Sequence, residues 1–147
     1  SFKALILQSM RKISLNTFIN HNFQFSQEDV IDFARITGDN NPIHLDDEYA
    51  KNTIFKQKII HGFLTGSIFS KIIGTKMPGK GTIYLEQSLQ FIKAMYTDIQ
   101  YNAIVKVIEI TPDKNQAILS TEIFDVTTNK IVLKGTARIL NNTVKWQ

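Results

Sequence analysis

Ile59-Ile60-His61-Gly62-Phe63-Leu64-Thr65-Gly66-Ser67-Ile68-Phe69-Ser70-Lys71-Ile72-Ile73-Gly74-Thr75-Lys76-Met77 has no lysine, arginine, aspartate or glutamate before Lys71. An apolar run of this length reads as a helix buried on nearly every side, and therefore as the core of the fold. Gly62, Gly66, Ser70 and Gly74 recur every four residues and make a ridge of small side chains along it. Such a ridge lets other backbone come unusually close, which suits a sheet wrapped over that face. The alternative, that each glycine only marks a helix end or a weak spot, explains their common spacing less well.

The chain after this helix reads as strand. Met77-Pro78-Gly79-Lys80-Gly81 is a loop by its proline and glycine content. Ile83, Leu85, Gln87, Leu89 and Phe91 then share one face of a long strand. Three more strands follow near Gln100 to Ile110, Gln116 to Val126 and Lys130 to Leu140. They are split by the turn signals Thr111-Pro112-Asp113-Lys114-Asn115 and Thr127-Thr128-Asn129. The expected architecture is α+β, one long helix wrapped by an antiparallel meander.

Before the helix, Thr17 to Phe25 alternates polar and apolar residues as a first strand does, with His21 as one of its members. Residues 1 to 15 are mixed apolar and basic, a short helix or an arm, so the expected division is an N-terminal segment 1–15 and a domain 16–147. Ser26-Gln27-Glu28-Asp29 forms a capping box for a helix from Gln27 to Thr37, with Val30, Phe33, Ala34 and Thr37 on one face. Gly38 ends that helix by accepting a positive φ. Asp46 caps a short helix reaching Asn52, and Thr53 to Lys58 connects it to the long one.

Between these helices lies Ile36-Thr37-Gly38-Asp39-Asn40-Asn41-Pro42-Ile43-His44, where acid and base side chains crowd together. Pro42 should keep the helix from resuming and force Asn41 into an extended conformation. Asp39 and His44 then become the two ends of a short overhang, where both can meet one small ligand. Taken alone, the spacing says little. Asp39 and Asn40 are also turn formers, and His44 sits beside the acidic run Asp46-Asp47-Glu48.

Composition narrows the function classes. At 147 residues, 43% hydrophobic and 20% charged, the chain reads as one globular domain. No apolar run reaches the roughly 18 residues of a membrane span. With no cysteine, disulfides and thiolate metal sites are excluded, and His21, His44 and His61 show no recognised metal spacing. No metal and no cofactor is expected. The net charge of +4 comes from dispersed lysines, which suits a solvated surface and argues against a nucleic-acid stripe. Lys76 and Lys80 would suit a phosphate-bearing substrate. The first 27 residues hold no acid, only Lys3, Arg11 and Lys12, which fits an N-terminal packing segment and, as the alternative, a mitochondrial targeting segment. A cytoplasmic protein is the expectation, with a mitochondrial one as the alternative.

A family resemblance rests on longer words. Phe33-Ala34-x-x-Thr37-Gly38-Asp39-x-Asn41-Pro42-Ile43-His44, then Ile60-His61-Gly62, then Pro78-Gly79-Lys80-Gly81-x-Ile83-Tyr84 resemble the MaoC-like (R)-specific enoyl-CoA hydratases, from about Phe23 to Leu140. The resemblance implies a hot-dog fold, a helix in a curled sheet, assembled as a homodimer. It implies hydration of trans-2-enoyl-CoA thioesters to (R)-3-hydroxyacyl products, and the reverse dehydration. Asp39 and His44 match the pair that activates one water, and Gly62 matches the backbone donor to the thioester oxygen. Water must lose a proton as it attacks C3 while C2 gains one, so base and proton donor must share a small site. An N–H at a helix start is unpaired and suits the enolate oxygen.

Asn41, His61, Ser70, Lys80 and Gly81 match further positions at the substrate site. Asn41 equally fits an ordinary turn role, Ser70 a packing role, and His61 a stabiliser of the helix start. Phe69, Ile72 and Ile73 are expected to line the acyl pocket or to be plain core. The same resemblance leaves open a dehydratase acting on acyl carrier protein, a non-catalytic acyl-thioester-binding subunit, and a hot-dog thioesterase.

Overall fold

Alternation builds the sheet. The computed structural model describes residues 1–147, the side chains of Leu7 and Gln8 excepted. Its helices are α1 (Phe2–Ser9), α2 (Gln27–Thr37), α3 (Pro42–Leu45), α4 (Asp47–Lys51) and α5 (Gly62–Thr75). Its strands are β1 (Lys12–Ile13), β2 (Phe18–Phe23), β3 (Ile83–Gln87), β4 (Gln90–Phe91), β5 (Tyr101–Thr111), β6 (Gln116–Asp125), β7 (Ile131–Leu140) and β8 (Lys145–Trp146). Tyr101, Ala103, Val105 and Val107 of β5, and Ala117, Leu119, Thr121 and Ile123 of β6, are buried at every second position. A period of two on one face is what an antiparallel sheet with one dry side requires.

The large sheet runs in the order β2-β5-β6-β7-β3, antiparallel throughout, with β4 on β7. It is not closed, so β2 and β3 are edges. Helix α5 packs against one face of it. Leu64, Ile68, Phe69, Ile72 and Ile73 join Val105, Val107, Leu119, Ile123, Leu133 and Ile139 in one core. This is the α+β architecture expected from the sequence.

Two features depart from expectation. The helix begins at Gly62, and Ile59 to His61 lead into it, with the Ile60 N–H donating to the Met95 carbonyl at 2.9 Å. Nor is it buried all round. Phe63, Ser67, Ser70, Lys71 and Gly74 are exposed, because one open sheet covers one face only. The ridge of small residues admits side chains rather than backbone: a Cβ on Gly62 would lie 2.8 Å from the Phe91 ring, one on Gly66 would lie 3.0 Å from Leu89, and one on Gly74 would meet nothing.

The strand expected over Ile83 to Phe91 is two strands. A register shift between Tyr84 and Glu86 turns Tyr84 and Leu89 toward the core and leaves Ile83 and Leu85 outward. At the break, the Ser88 N–H donates to the Thr136 carbonyl at 2.9 Å.

At the termini, β1 pairs in parallel with β8. Ile13 enters the core, and the Arg11 guanidinium donates to the Pro78 carbonyl. Among the described residues no helix is long and apolar enough to cross a membrane.

Candidate active site

The loop carrying Asp39 and His44 is fixed at both ends by local chemistry. Ser26 and Asp29 close the capping box of α2 reciprocally, at 3.1 and 2.8 Å. Gly38, at φ 78°, caps its far end in the left-handed region and donates its N–H to the Ala34 carbonyl at 2.8 Å. Thr37 Oγ1 then accepts from the Asp39 N–H at 3.2 Å. Gln27 reaches across from the start of α2 and donates to the His44 carbonyl at 2.9 Å.

Pro42 does not keep the chain from becoming helical; it starts α3. Proline at the first helical position gives up only an N–H that would have had no partner, and its fixed φ is already helical. Asn41 is the N-cap, its Oδ1 accepting from the Ile43 N–H at 3.3 Å, while its own N–H donates to Asp39 Oδ1 at 3.4 Å. His44 therefore projects from a single helical turn rather than from an extended overhang.

His44 is 8% exposed. Its Nδ1–H donates to the Ile59 carbonyl at 2.8 Å, which leaves Nε2 of the neutral ring as a free lone pair. Burial pushes its pKa below 6.5; the Ile59 bond opposes this, His61 adds to it, and the Asp39 carboxylate opposes it. The ring is thereby kept in the form that accepts a proton.

Beneath it lies His61, only 1% exposed. The two imidazoles stack with centroids 3.8 Å apart and planes 28° apart, and Phe33 packs on His61 at 4.8 Å. His61 Nε2–H donates to the Asp39 main-chain carbonyl at 2.9 Å.

Donor atoms of Asp39, His44 and His61 lie within 4.8 Å of one another, a spacing that invites a metal. The stacking argues against a tetrahedral ion. In-plane lone pairs of two near-parallel rings run side by side, whereas zinc needs them to converge at about 2 Å. A water beside Asp39 and His44 Nε2 places no such demand.

One cleft opens on this cluster, and a second shares the Phe91 wall with it. The first, about 320 Å³, is lined by His44, Ile59, Gly62, Thr65, Phe91 and neighbours, with Asp39 exposed outside its lining. Gly62, in the first turn of α5, has an N–H with no intrahelical partner at the positive end of the helix dipole. The second cleft, about 450 Å³, is lined by Phe63, Gly66, Ser67, Ser70, Tyr84, Gln87, Leu89 and Phe91. Phe91 lines both.

Of the residues singled out in the sequence, Asp39, Asn41, His44, His61 and Gly62 gather at the start of α5. Ser70 lies in the second cleft. Lys80 and Gly81 follow the opposite end of the 14-residue helix, which spans about 20 Å. There the Lys80 carbonyl accepts from Asn141 and Thr143, both at 3.2 Å. Phe69, Ile72 and Ile73 are fully buried and line neither cleft, so they are core. The apolar lining comes instead from Phe63, Leu89 and Phe91. Phe63, 74% exposed on a helix, was visible in sequence only as one more apolar residue of the run.

A protein-family model described as MaoC like domain matches residues 8–130. The chain is 42% identical over 101 residues to the (R)-specific enoyl-CoA hydratase of Aeromonas caviae, covering 69% of this chain and 75% of that protein. It is 30% identical over 141 residues to the mitochondrial 3-hydroxyacyl-[acyl-carrier-protein] dehydratase of Arabidopsis thaliana, covering 90% and 84%. Among solved structures, the (R)-hydratase from A. caviae involved in PHA biosynthesis is similar with a TM-score of 0.84 at 34% identity, covering 88% of this chain and 97% of that one.

Proposed function

The chain belongs to the MaoC-like domain family, with its hot-dog fold, and from that premise we propose that it is an (R)-specific enoyl-CoA hydratase, a hydro-lyase that also runs the reverse dehydration. The observation that carries this reading is His44, its Nδ1 taken by the Ile59 carbonyl and its Nε2 left free, with a ring nitrogen within 4.8 Å of an Asp39 carboxylate oxygen. One water sits between the two. As its oxygen bonds to C3 of the trans-2-enoyl thioester, a proton passes to the pair, and the C2–C3 π electrons move toward the thioester oxygen. The Gly62 N–H stabilises that enolate oxygen. A proton then returns from the pair to C2, so one water is added and none of the protein groups is consumed.

The apolar clefts flanking Phe91 suit an acyl chain. A carrier-protein thioester is the second substrate considered, favoured by similarity to the Arabidopsis dehydratase. Two copies pair along the open edge at β3, where Ile83 and Leu85 are exposed; pairing there removes both a sheet edge and apolar surface from water. Light scattering at micromolar concentration should give twice the mass of one chain, and a monomer with full activity would contradict the pairing.

Purified protein with trans-2-enoyl thioesters of graded length, on CoA and on carrier protein, tests the reaction. Enoyl absorbance should fall and chiral analysis should return the (R)-3-hydroxyacyl product. Release of free thiol would point to a thioesterase, binding without turnover to a non-catalytic subunit, and an (S) product to a different mechanism.

A further inference from the structure

His61 sits one residue before the helix whose first N–H faces the reacting thioester, yet at 1% exposure it has no surface to offer a substrate. Its side-chain hydrogen bond and one face of its ring are both directed at the loop that carries Asp39 and His44. Its Nε2–H ends on the main-chain carbonyl of Asp39, and its ring face lies against His44 at 3.8 Å. Phe33, from α2, closes the opposite side at 4.8 Å. Its Nδ1 is buried and has no partner. A carbonyl accepts only, so Nε2 must hold the proton, and the bare Nδ1 lone pair is the form the surroundings tolerate. Nor does the His61 side chain cap the helix.

We propose that His61 is a positioning residue. It locks the Asp39 backbone by one hydrogen bond and the His44 ring by stacking, and so sets the distance between the carboxylate and the free Nε2. Because Gly62 follows it directly, the same residue fixes the oxyanion donor relative to that pair. Three groups from two separate segments thus refer to one buried ring. This role rests on the hydratase reading above, in which Asp39, His44 and Gly62 act on one water and one thioester.

The geometry has a cost that shows in kinetics. Misplacing reacting groups by about 1 Å can lose on the order of 100-fold in rate while leaving binding intact. His61→Phe keeps a flat ring but removes the N–H, and His61→Gln keeps an amide N–H at similar reach. For His61→Phe, kcat should fall by roughly 10- to 100-fold with KM changed by less than about 3-fold. His61→Gln should recover most of that loss. A structural role alone would not separate the two variants. Retention of more than half of the wild-type kcat by His61→Phe, or a raised KM at unchanged kcat, would overturn the proposal.

A second measurement needs no turnover. In 15N-labelled wild-type protein, the imidazole nitrogen shifts of His61 should report the Nε2–H tautomer, with that proton protected from exchange. The Nδ1–H tautomer would overturn the lock whether or not the variants fold. A protein showing the Nε2–H tautomer but no hydration of any enoyl thioester would count against the reaction and leave the lock standing.

Discussion

His44 Nδ1 lies 2.8 Å from the main-chain oxygen of Ile59. That one contact decides which nitrogen of the ring is available, because a carbonyl can only accept. Burial, the largest influence, keeps the ring neutral below 6.5. The acid limb of kcat/KM, which reports the free enzyme, should therefore inflect below pH 6.5. An inflection at or above that value would contradict a neutral His44 as the working form.

Stability follows the same histidine with a definite sign. The unfolded chain takes up a proton near pH 6.5, the folded one only at lower pH, so between the two the unfolded state binds more protons. Stability should be full above that window and fall as the pH drops through it. His21 adds in the same direction, its pKa lowered by burial first and by Lys71 and Lys76 after it. Urea midpoints measured from pH 8 down to 5 should show the decline, and His44→Gln should flatten part of it. A midpoint rising over that range would reverse the assignment.

Phe91 forms the shared wall of the two clefts and is half exposed, so removing its ring joins them at little cost in packing. Phe91→Ala should shift the ratio of kcat/KM for long over short enoyl chains upward by about 10-fold. A ratio unchanged within error would take the acyl chain elsewhere.

Gly135 has no room for any side chain, since a Cβ there would lie 1.8 Å from the Ser88 carbonyl. The obstacle is backbone, which cannot swing aside as a side chain can. Gly135→Ala should cost about 3 kcal/mol, lowering Tm by roughly 10 °C. Gly74→Ala, where a Cβ meets nothing within 4 Å, should instead leave Tm unchanged or raise it slightly by favouring helix.

What the sequence disclosed was chemistry that acts over a few residues. The capping box of Ser26 and Asp29, the left-handed cap at Gly38 and the alternation of β5 and β6 all have their partners close by or repeat with a fixed period. The pairing of Lys12-Ile13 with Lys145-Trp146 had no such signal, being two residues long with partners at opposite ends of the chain. Pro42 was ambiguous in kind: proline both stops a helix and starts one, and only the Asn41 cap decides. The register shift near Glu86 changes no composition, yet it reverses which residues face the core.

The active-site loop was legible as residue types and not as geometry. Asp39 and His44 stood out as acid and base, and His61 only as a substrate-site match or a stabiliser of the helix start. Their decisive partners are main-chain carbonyls, of Ile59 for His44 and of Asp39 for His61, and a carbonyl carries no signature in sequence. Stacking of two histidines from separate segments is likewise a product of the loop seating itself against the start of α5.

The most direct test of the proposed mechanism is a double-mutant cycle on the pair itself. Asp39→Asn keeps shape and removes the carboxylate charge, and His44→Ala removes the imidazole. Each should lower kcat by roughly 10²- to 10⁴-fold, and the double variant should lose little more than the worse single one, because both groups act on one water. Asp39 is exposed, so the Asn variant should melt close to wild type. A folded Asp39→Asn protein keeping more than about a tenth of the wild-type rate, or fully multiplicative losses in the double variant, would contradict a shared water between Asp39 and His44.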